Sequence, residues 1–93
     1  MEVFGYKDVL NKYNNSTIVT DYITGDIIDI TKDDFALDHI KPKSRGGENT
    51  LDNLAIVTPE ANKVKSDLTI DELLEICKKI LIYHGYKVEN KTI

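Results

Sequence analysis

The sequence contains one cysteine, Cys77, two prolines and no tryptophan. A single thiol excludes both an intrachain disulfide framework and a zinc knuckle built from two CxxC pairs, which favours a reducing compartment. No apolar run approaches the roughly 18 to 20 residues that cross a bilayer, and the N-terminus lacks the pattern of a secretory signal. We therefore expect a cytoplasmic protein with no membrane association.

An excess of positive charge is also missing, since the formal net charge is -4 at pH 7. Proteins that coat nucleic acid without specificity neutralise many phosphates, so this total argues against that class. The charge is nevertheless uneven, because bases outnumber acids over residues 41–65. The bases there are Lys41, Lys43, Arg45, Lys63 and Lys65. A local basic face is expected within an acidic chain.

With 93 residues, of which 41% are hydrophobic and 30% charged, the chain has the size and composition of one small globular domain. Apolar residues at three- and four-residue spacing predict a short helix over residues 3–13. β-Branched residues on both sides of a Thr-Gly-Asp turn predict a hairpin over residues 17–30. Helix and hairpin together predict an α+β domain.

Two apolar segments, 35–40 and 51–57, predict strands that pair across a loop containing Pro42 and two glycines. Thr58, Pro59 and Glu60 are three successive helix-start signals, so a short helix should follow to about Lys65. A longer apolar stripe predicts a helix over residues 70–84, closed by a glycine. Cys77 lies in that stripe and is expected to be buried.

Residues 37–67 read LDHIKPKSRGGENTLDNLAIVTPEANKVKSD and place Asp38 and His39 at the end of a predicted strand. Aspartate is depleted in strands, and a buried carboxylate or imidazole needs a partner to offset its desolvation. Neighbouring side chains on a strand point to opposite faces, so the pair can serve one site only where the strand ends or twists. Taken alone, the pair would indicate a solvated strand end.

The whole ordered set resembles the motif of the HNH endonuclease family. Its elements are an Asp-His pair, a proline soon after, an Asn-Leu on the second strand and an Asn-x-x-Lys on the helix. The third position is Asn62, as in the HNN variant of the motif. The resemblance implies a single α+β domain over residues 1–93. The resemblance supplies the ββα-metal core at 35–66, and the patterns above add an N-terminal helix within 1–15, a short antiparallel hairpin and a C-terminal helix at 69–85.

The resemblance also implies a role for each polar residue. Asp38 and Asn62 would hold one Mg²⁺, for which Mn²⁺ can substitute, because this hard cation prefers oxygen ligands. His39 would activate water as general base, since an imidazole titrates near physiological pH. Asn53 would pin the loop and help to orient the histidine. The five bases named above would contact phosphates on both sides of the cut.

These roles imply a nuclease that hydrolyses DNA to 5′-phosphate and 3′-hydroxyl ends, as a phage enzyme or as the catalytic domain of a restriction enzyme. One site cuts one strand, so double-strand cleavage would need a homodimer or another domain, and recognition would need a separate domain. DNA and RNA substrates are not distinguished by the sequence. No structural Zn²⁺ is expected. A non-catalytic nucleic-acid-binding module of the same fold is the main alternative, and an interaction domain built on residues 70–84 is the second.

Overall fold

The computed structural model describes residues 5–89 and has an α+β architecture. A short helix, α1, is followed by a first hairpin of β1 and β2, a second hairpin of β3 and β4, and two helices, α2 and α3. Their bounds are α1 Tyr6–Lys12, β1 Ile18–Thr20, β2 Ile27–Asp29, β3 Ala36–His39, β4 Leu54–Val57, α2 Pro59–Lys65 and α3 Ile70–Tyr83. Both hairpins are antiparallel. The α+β class and the first hairpin predicted from the sequence are confirmed.

The core lies between α1 and the two hairpins. Val9, Val19, Ile28 and Ile56 form its buried cluster, and partly buried apolar side chains pack around them. The register of the first hairpin pairs Val19 with Ile28, so both strands bury the same face. The outer face of this hairpin remains exposed. One small core thus joins α1 and the first hairpin to β4 of the second hairpin.

The second hairpin differs from the sequence prediction at one end. Residues 51–57 were expected to form one strand, but Leu51–Asn53 is a short 3-10 turn and β4 begins at Leu54. The cause is Asn53, whose N–H donates to the carbonyl of Thr50 while its own carbonyl accepts from Ile40. The first bond closes the turn, and the second joins the two sides of the hairpin next to the last pair of the ladder. All four residues of β4 are buried.

The α2 helix has the bounds expected from its start signals. The Thr58 hydroxyl accepts a hydrogen bond from the N–H of Ala61 at 3.1 Å, and Pro59 occupies the first helical position. The α1 helix is shorter than predicted within the described residues, and residues 3 and 4 of the prediction lie outside them. The α3 helix begins with a capping box between Thr69 and Glu72.

The prediction that Cys77 is buried is wrong, because its side chain is exposed on α3. The periodicity of α3 is present, but only Leu73 of this helix is buried within the described residues. An apolar stripe indicates a helix face whose burial is favourable. Within residues 5–89, most of the apolar face of α3 is exposed. Within those residues, no helix has the length and apolarity to cross a membrane.

Asp21 is a fully buried carboxylate that ties the first hairpin to the start of α2. Its Oδ1 accepts from the N–H groups of Ile23 and Thr24, at 2.6 and 3.2 Å. Its Oδ2 accepts from the N–H of Thr58 at 2.8 Å. Burial by itself raises the pKa of this carboxyl, but the backbone hydrogen bonds outweigh it and the pKa lies below the ordinary value of 3.8.

Replacing Asp21 with asparagine should lower the free energy of unfolding at neutral pH by about 1 to 3 kcal/mol, because a buried acceptor is lost. A urea titration measures the difference, and Asp34→Asn, at an exposed aspartate, is the matched control. A lowered pKa stabilises the fold above the unfolded-state pKa, and this contribution disappears as the pH falls through the folded-state pKa. The gap between native and Asp21→Asn chains should therefore narrow below about pH 4. A stability difference between the two chains that increases in acid would contradict the lowered pKa of Asp21.

Candidate active site

Asp38, His39 and Asn62 line one open cavity of about 230 Å³, at the end of β3 and beside α2. The strand ends at His39, which pairs with Leu54 as the last step of the ladder. Asp38 and His39, which are neighbours at the end of this strand, therefore both border the same cavity. The fold thus brings Asn62 of α2 to the same place as the adjacent pair Asp38 and His39.

The Asp38 carboxylate is 4% exposed and has a partner on each oxygen. Oδ1 accepts from the ammonium of Lys65 at 3.1 Å, and Oδ2 accepts from the hydroxyl of Tyr22. A carboxylate offers about four lone-pair positions, so two positions remain for further partners. These two hydrogen bonds fix the orientation of the carboxylate in the cavity wall.

Lys65 corrects the expectation from sequence that this side chain contacts phosphates. The residue is completely buried, with Nζ bonded to Asp38 and also to the carbonyl oxygen of His39 at 2.9 Å. A buried ammonium is stable only where anions and carbonyl oxygens replace its hydration. Lys65 therefore stabilises the polar interior of the site and does not face a phosphate outside it.

The sequence pattern does not identify Tyr22 as a site residue. Burial, followed by the hydrogen bond to Asp38, raises the pKa of its hydroxyl far above the ordinary value of 10.0, so it remains a donor at physiological pH. The residue lies in the turn of the first hairpin, 16 positions before its partner. No local spacing rule links such positions, and only the folded arrangement reveals the pair.

The His39 ring is half-buried and its Nε2 lies 3.1 Å from the side-chain oxygen of Asn49. An amide oxygen can only accept, so Nε2 carries the proton in this contact. In the neutral ring, Nδ1 is then the free acceptor. The sequence pattern does not identify Asn49 either, because this residue resembles an ordinary polar residue of a glycine-rich loop.

Asn53 ties the ends of that loop together. Its Oδ1 accepts from the N–H of Lys41 at 2.8 Å, and its Nδ2 donates to the carbonyl oxygens of Lys41 and Glu48 at 2.9 and 2.8 Å. Three bonds from one amide hold the segment that contains Asn49. Asn53 therefore holds the loop in place from which the Asn49 side chain contacts His39.

The remaining bases of the expected basic face are exposed. Lys41, Lys43 and Lys63 reach solvent, and Lys43 also lines the cavity. Arg45 is engaged, because its guanidinium makes two bonds to the carboxylate of Glu72 at 2.6 and 2.9 Å. The hydrogen bond from Arg45, helped by the N–H of Thr69, lowers the pKa of Glu72 to about 2. A phosphate would therefore compete with a carboxylate for this arginine.

The donor set of the cavity fits a hard divalent cation. Asp38 supplies a carboxylate and Asn62 an amide oxygen, and the open cavity admits the waters that Mg²⁺ retains. Among residues 5–89, no group of three or more His, Cys, Asp and Glu side chains forms a metal cluster.

A family model described as HNH endonuclease matches residues 13–70, which is more than half of the chain. The matched segment contains both hairpins, α2 and every residue of the cavity described above. No curated protein and no solved structure matches the chain.

Replacing Lys65 with methionine should lower the free energy of unfolding by about 3 to 5 kcal/mol, because Asp38 then keeps a buried charge without its cation. Lys63→Met is the matched control, since Lys63 is an exposed lysine on the same helix, and it should change stability by no more than about 0.5 kcal/mol. Chemical denaturation of both variants makes the comparison. Equal changes in the free energy of unfolding would show that the buried ion pair of Lys65 and Asp38 adds no more stability than an exposed lysine does.

Proposed function

Because the chain belongs to the HNH endonuclease family, we propose that it is a magnesium-dependent nuclease that hydrolyses phosphodiester bonds of DNA. The products would be 5′-phosphate and 3′-hydroxyl ends. The observation that supports this most directly is the open cavity shared by Asp38, His39 and Asn62. A carboxylate, an amide oxygen and an imidazole at one open site supply the ion ligands and the base that such a hydrolysis needs.

His39 is the proposed general base. The contact of Nε2 with Asn49 leaves Nδ1 with a free lone pair to accept a proton from water. A ring that is held in one orientation reacts more efficiently than a freely rotating imidazole, which spends much of its time in unproductive orientations. Asn49 is thus a positioning residue for the base, and Asn53 holds the loop from which Asn49 extends.

Asp38 and Asn62 are the proposed ligands of the ion. When bound, Mg²⁺ would supply positive charge that neutralises the scissile phosphate and the leaving oxygen. Tyr22 and Lys65 hold the Asp38 carboxylate in one orientation and leave two of its lone-pair positions available. The carboxylate is therefore preorganised for a further cation without having to change its conformation.

Lys41, Lys43 and Lys63 are the proposed phosphate contacts around the cavity. All three are exposed, and together they can position a nucleic-acid backbone without reading its bases. Arg45 would join them only after leaving Glu72. Target choice would then come from a separate recognition domain or partner, as in a restriction enzyme or a phage nuclease.

A non-catalytic nucleic-acid-binding module is the second candidate, and one observation favours it. The Lys65 ammonium already neutralises the Asp38 carboxylate, and a second cation beside it meets electrostatic repulsion. If that repulsion prevails, the exposed lysines would still bind a phosphate backbone. The two candidates differ in their dependence on magnesium and on His39, so activity assays separate them.

The first test is nicking of supercoiled plasmid in the presence of Mg²⁺. The native chain should cut and a chelator should stop cutting, while His39→Ala should reduce the rate by about 10² to 10⁴-fold through loss of the base. His84→Ala is the matched control, because His84 is the other histidine and lies past the end of α3. It should leave the rate unchanged.

Two results of this assay would contradict the mechanism. Cutting that survives His39→Ala would exclude the imidazole as base. Absence of cutting by the native chain, together with salt-dependent DNA binding, would support the binding module instead.

A second test measures the ion without any reaction. Calorimetric titration should show Mn²⁺ or Mg²⁺ binding to the native chain, and Asn62→Ala should weaken it at least about tenfold because an oxygen ligand is removed. Asn11→Ala removes an exposed amide on α1 and should leave the affinity unchanged. Equal affinities in all three chains would exclude Asn62 as a ligand.

A further inference from the structure

The chain leaves α2 through a tight turn that contains a strained residue. The N–H of Leu68 donates to the carbonyl of Lys65 at 2.9 Å, which closes a turn of four residues. The second residue, Ser66, has a φ of 49° and a ψ of -127°, close to the first central position of a type II′ turn. Glycine is preferred at this position, because a Cβ atom meets the backbone when φ is positive. Serine therefore costs conformational energy here that glycine would avoid.

The buried ion pair explains why the turn keeps this conformation. Lys65, the first residue of the turn, is fixed in the interior by its bonds to Asp38 and to the carbonyl of His39. The N–H of Ser66 donates to the carbonyl of Asn62 at 3.0 Å, so α2 fixes the turn from its other side. A strained backbone persists where the surrounding contacts determine it. Ser66 is thus held in one place, one helical turn after Asn62.

The Ser66 hydroxyl has no role within the fold that explains a serine at this position. Among residues 5–89 it finds no hydrogen-bond partner, whereas the hydroxyls of Thr58 and Thr69 each cap a helix. Ser66 is exposed, and it lines the active-site cavity together with Asp38 and Asn62. A hydroxyl at an open cavity is available to a ligand.

The charges of the cavity indicate why a hydroxyl suits a phosphate there. The wall already contains the Lys65 ammonium, and the proposed ion would add two further positive charges. A neutral donor adds a hydrogen bond to a phosphate oxygen without adding repulsion between cations. Serine hydroxyls are common contacts of backbone phosphates in protein–DNA complexes.

We propose that Ser66 donates a hydrogen bond to a backbone phosphate of the substrate at the active-site cavity, and that the strained turn places the hydroxyl there. This contact rests on the proposed function, because it needs a nucleic acid in the cavity. It complements the exposed lysines, since an uncharged donor positions a phosphate without releasing a counterion.

Two substitutions separate the hydroxyl from the backbone. Ser66→Ala removes the hydroxyl but keeps the Cβ atom, so the strain remains. Ser66→Gly removes both, and its urea midpoint should lie about 0.5 M above that of Ser66→Ala because the turn is relaxed. Equal midpoints would show that the turn stores no strain and would overturn the proposal.

Binding of a fluorescent DNA duplex tests the contact itself, by anisotropy at low ionic strength without Mg²⁺. Both Ser66 variants should bind about three- to tenfold more weakly than the native chain, because one hydrogen bond is lost. Asn15→Gly is the matched control, since Asn15 also has a positive φ, 57°, and does not line the cavity. It should bind as the native chain does. Native affinity in Ser66→Gly would overturn the proposal.

The salt dependence of binding distinguishes a hydrogen bond from a change in charge. Ser66→Ala should leave the slope of log affinity against log salt concentration unchanged. Lys63→Met removes a charge and should reduce that slope by about one. A similar reduction in Ser66→Ala would mean that the substitution displaces a cationic contact, and it would overturn the role of the hydroxyl.

These measurements separate failure of the Ser66 contact from failure of the nuclease mechanism. If the native chain nicks plasmid while both Ser66 variants bind DNA with native affinity, only the contact is wrong. If the native chain binds DNA without nicking it and the variants bind more weakly, the contact stands and the nuclease mechanism is wrong. A native chain that does not bind DNA would overturn both.

Discussion

The buried ion pair between Lys65 and Asp38 is the interaction on which the rest of the site depends. It joins the end of β3 to the last turn of α2, and the bond from the same ammonium to the carbonyl of His39 adds the backbone of the next residue. Removing two charges from water is costly, so the pair is retained only with good geometry and further hydrogen bonds. Tyr22 supplies one of these from the first hairpin. The strand, the helix and the hairpin therefore meet at one carboxylate.

Polar side chains bonded to backbone groups fix the loops around this centre. Asp21 holds the hairpin turn against the start of α2, and Asn53 closes the loop that follows β3. Each residue satisfies three backbone groups that would otherwise require water or another partner. In a domain with one small apolar core, such bonds do much to restrict each loop to a single conformation. The His39 ring is oriented in this way, because it contacts Asn49 on the loop that Asn53 holds.

Local signals in the sequence were sufficient for some elements and not for others. The cap, proline and acid at residues 58–60 predict α2 with its observed bounds, because helix starts are determined by contacts within a few residues. The burial of Lys65 and the pairing of Tyr22 with Asp38 were not predictable in this way. Both depend on contacts between segments separated by 16 to 27 positions. The periodicity of α3 predicts the helix, but it does not show which part of the apolar face is covered, and for this reason it wrongly predicts a buried Cys77.

The central claim is that one cavity combines a cation held by Asp38 and Asn62 with a base at His39, while Lys65 remains on Asp38. The most direct test is a crystal structure of the chain with Mn²⁺, because the anomalous signal of this ion locates it independently of the protein atoms. The account predicts one strong anomalous peak within bonding distance of Asp38 and Asn62, with the Lys65 ion pair intact. A peak bound elsewhere, or a cavity without a peak in crystals soaked to saturation, would contradict it.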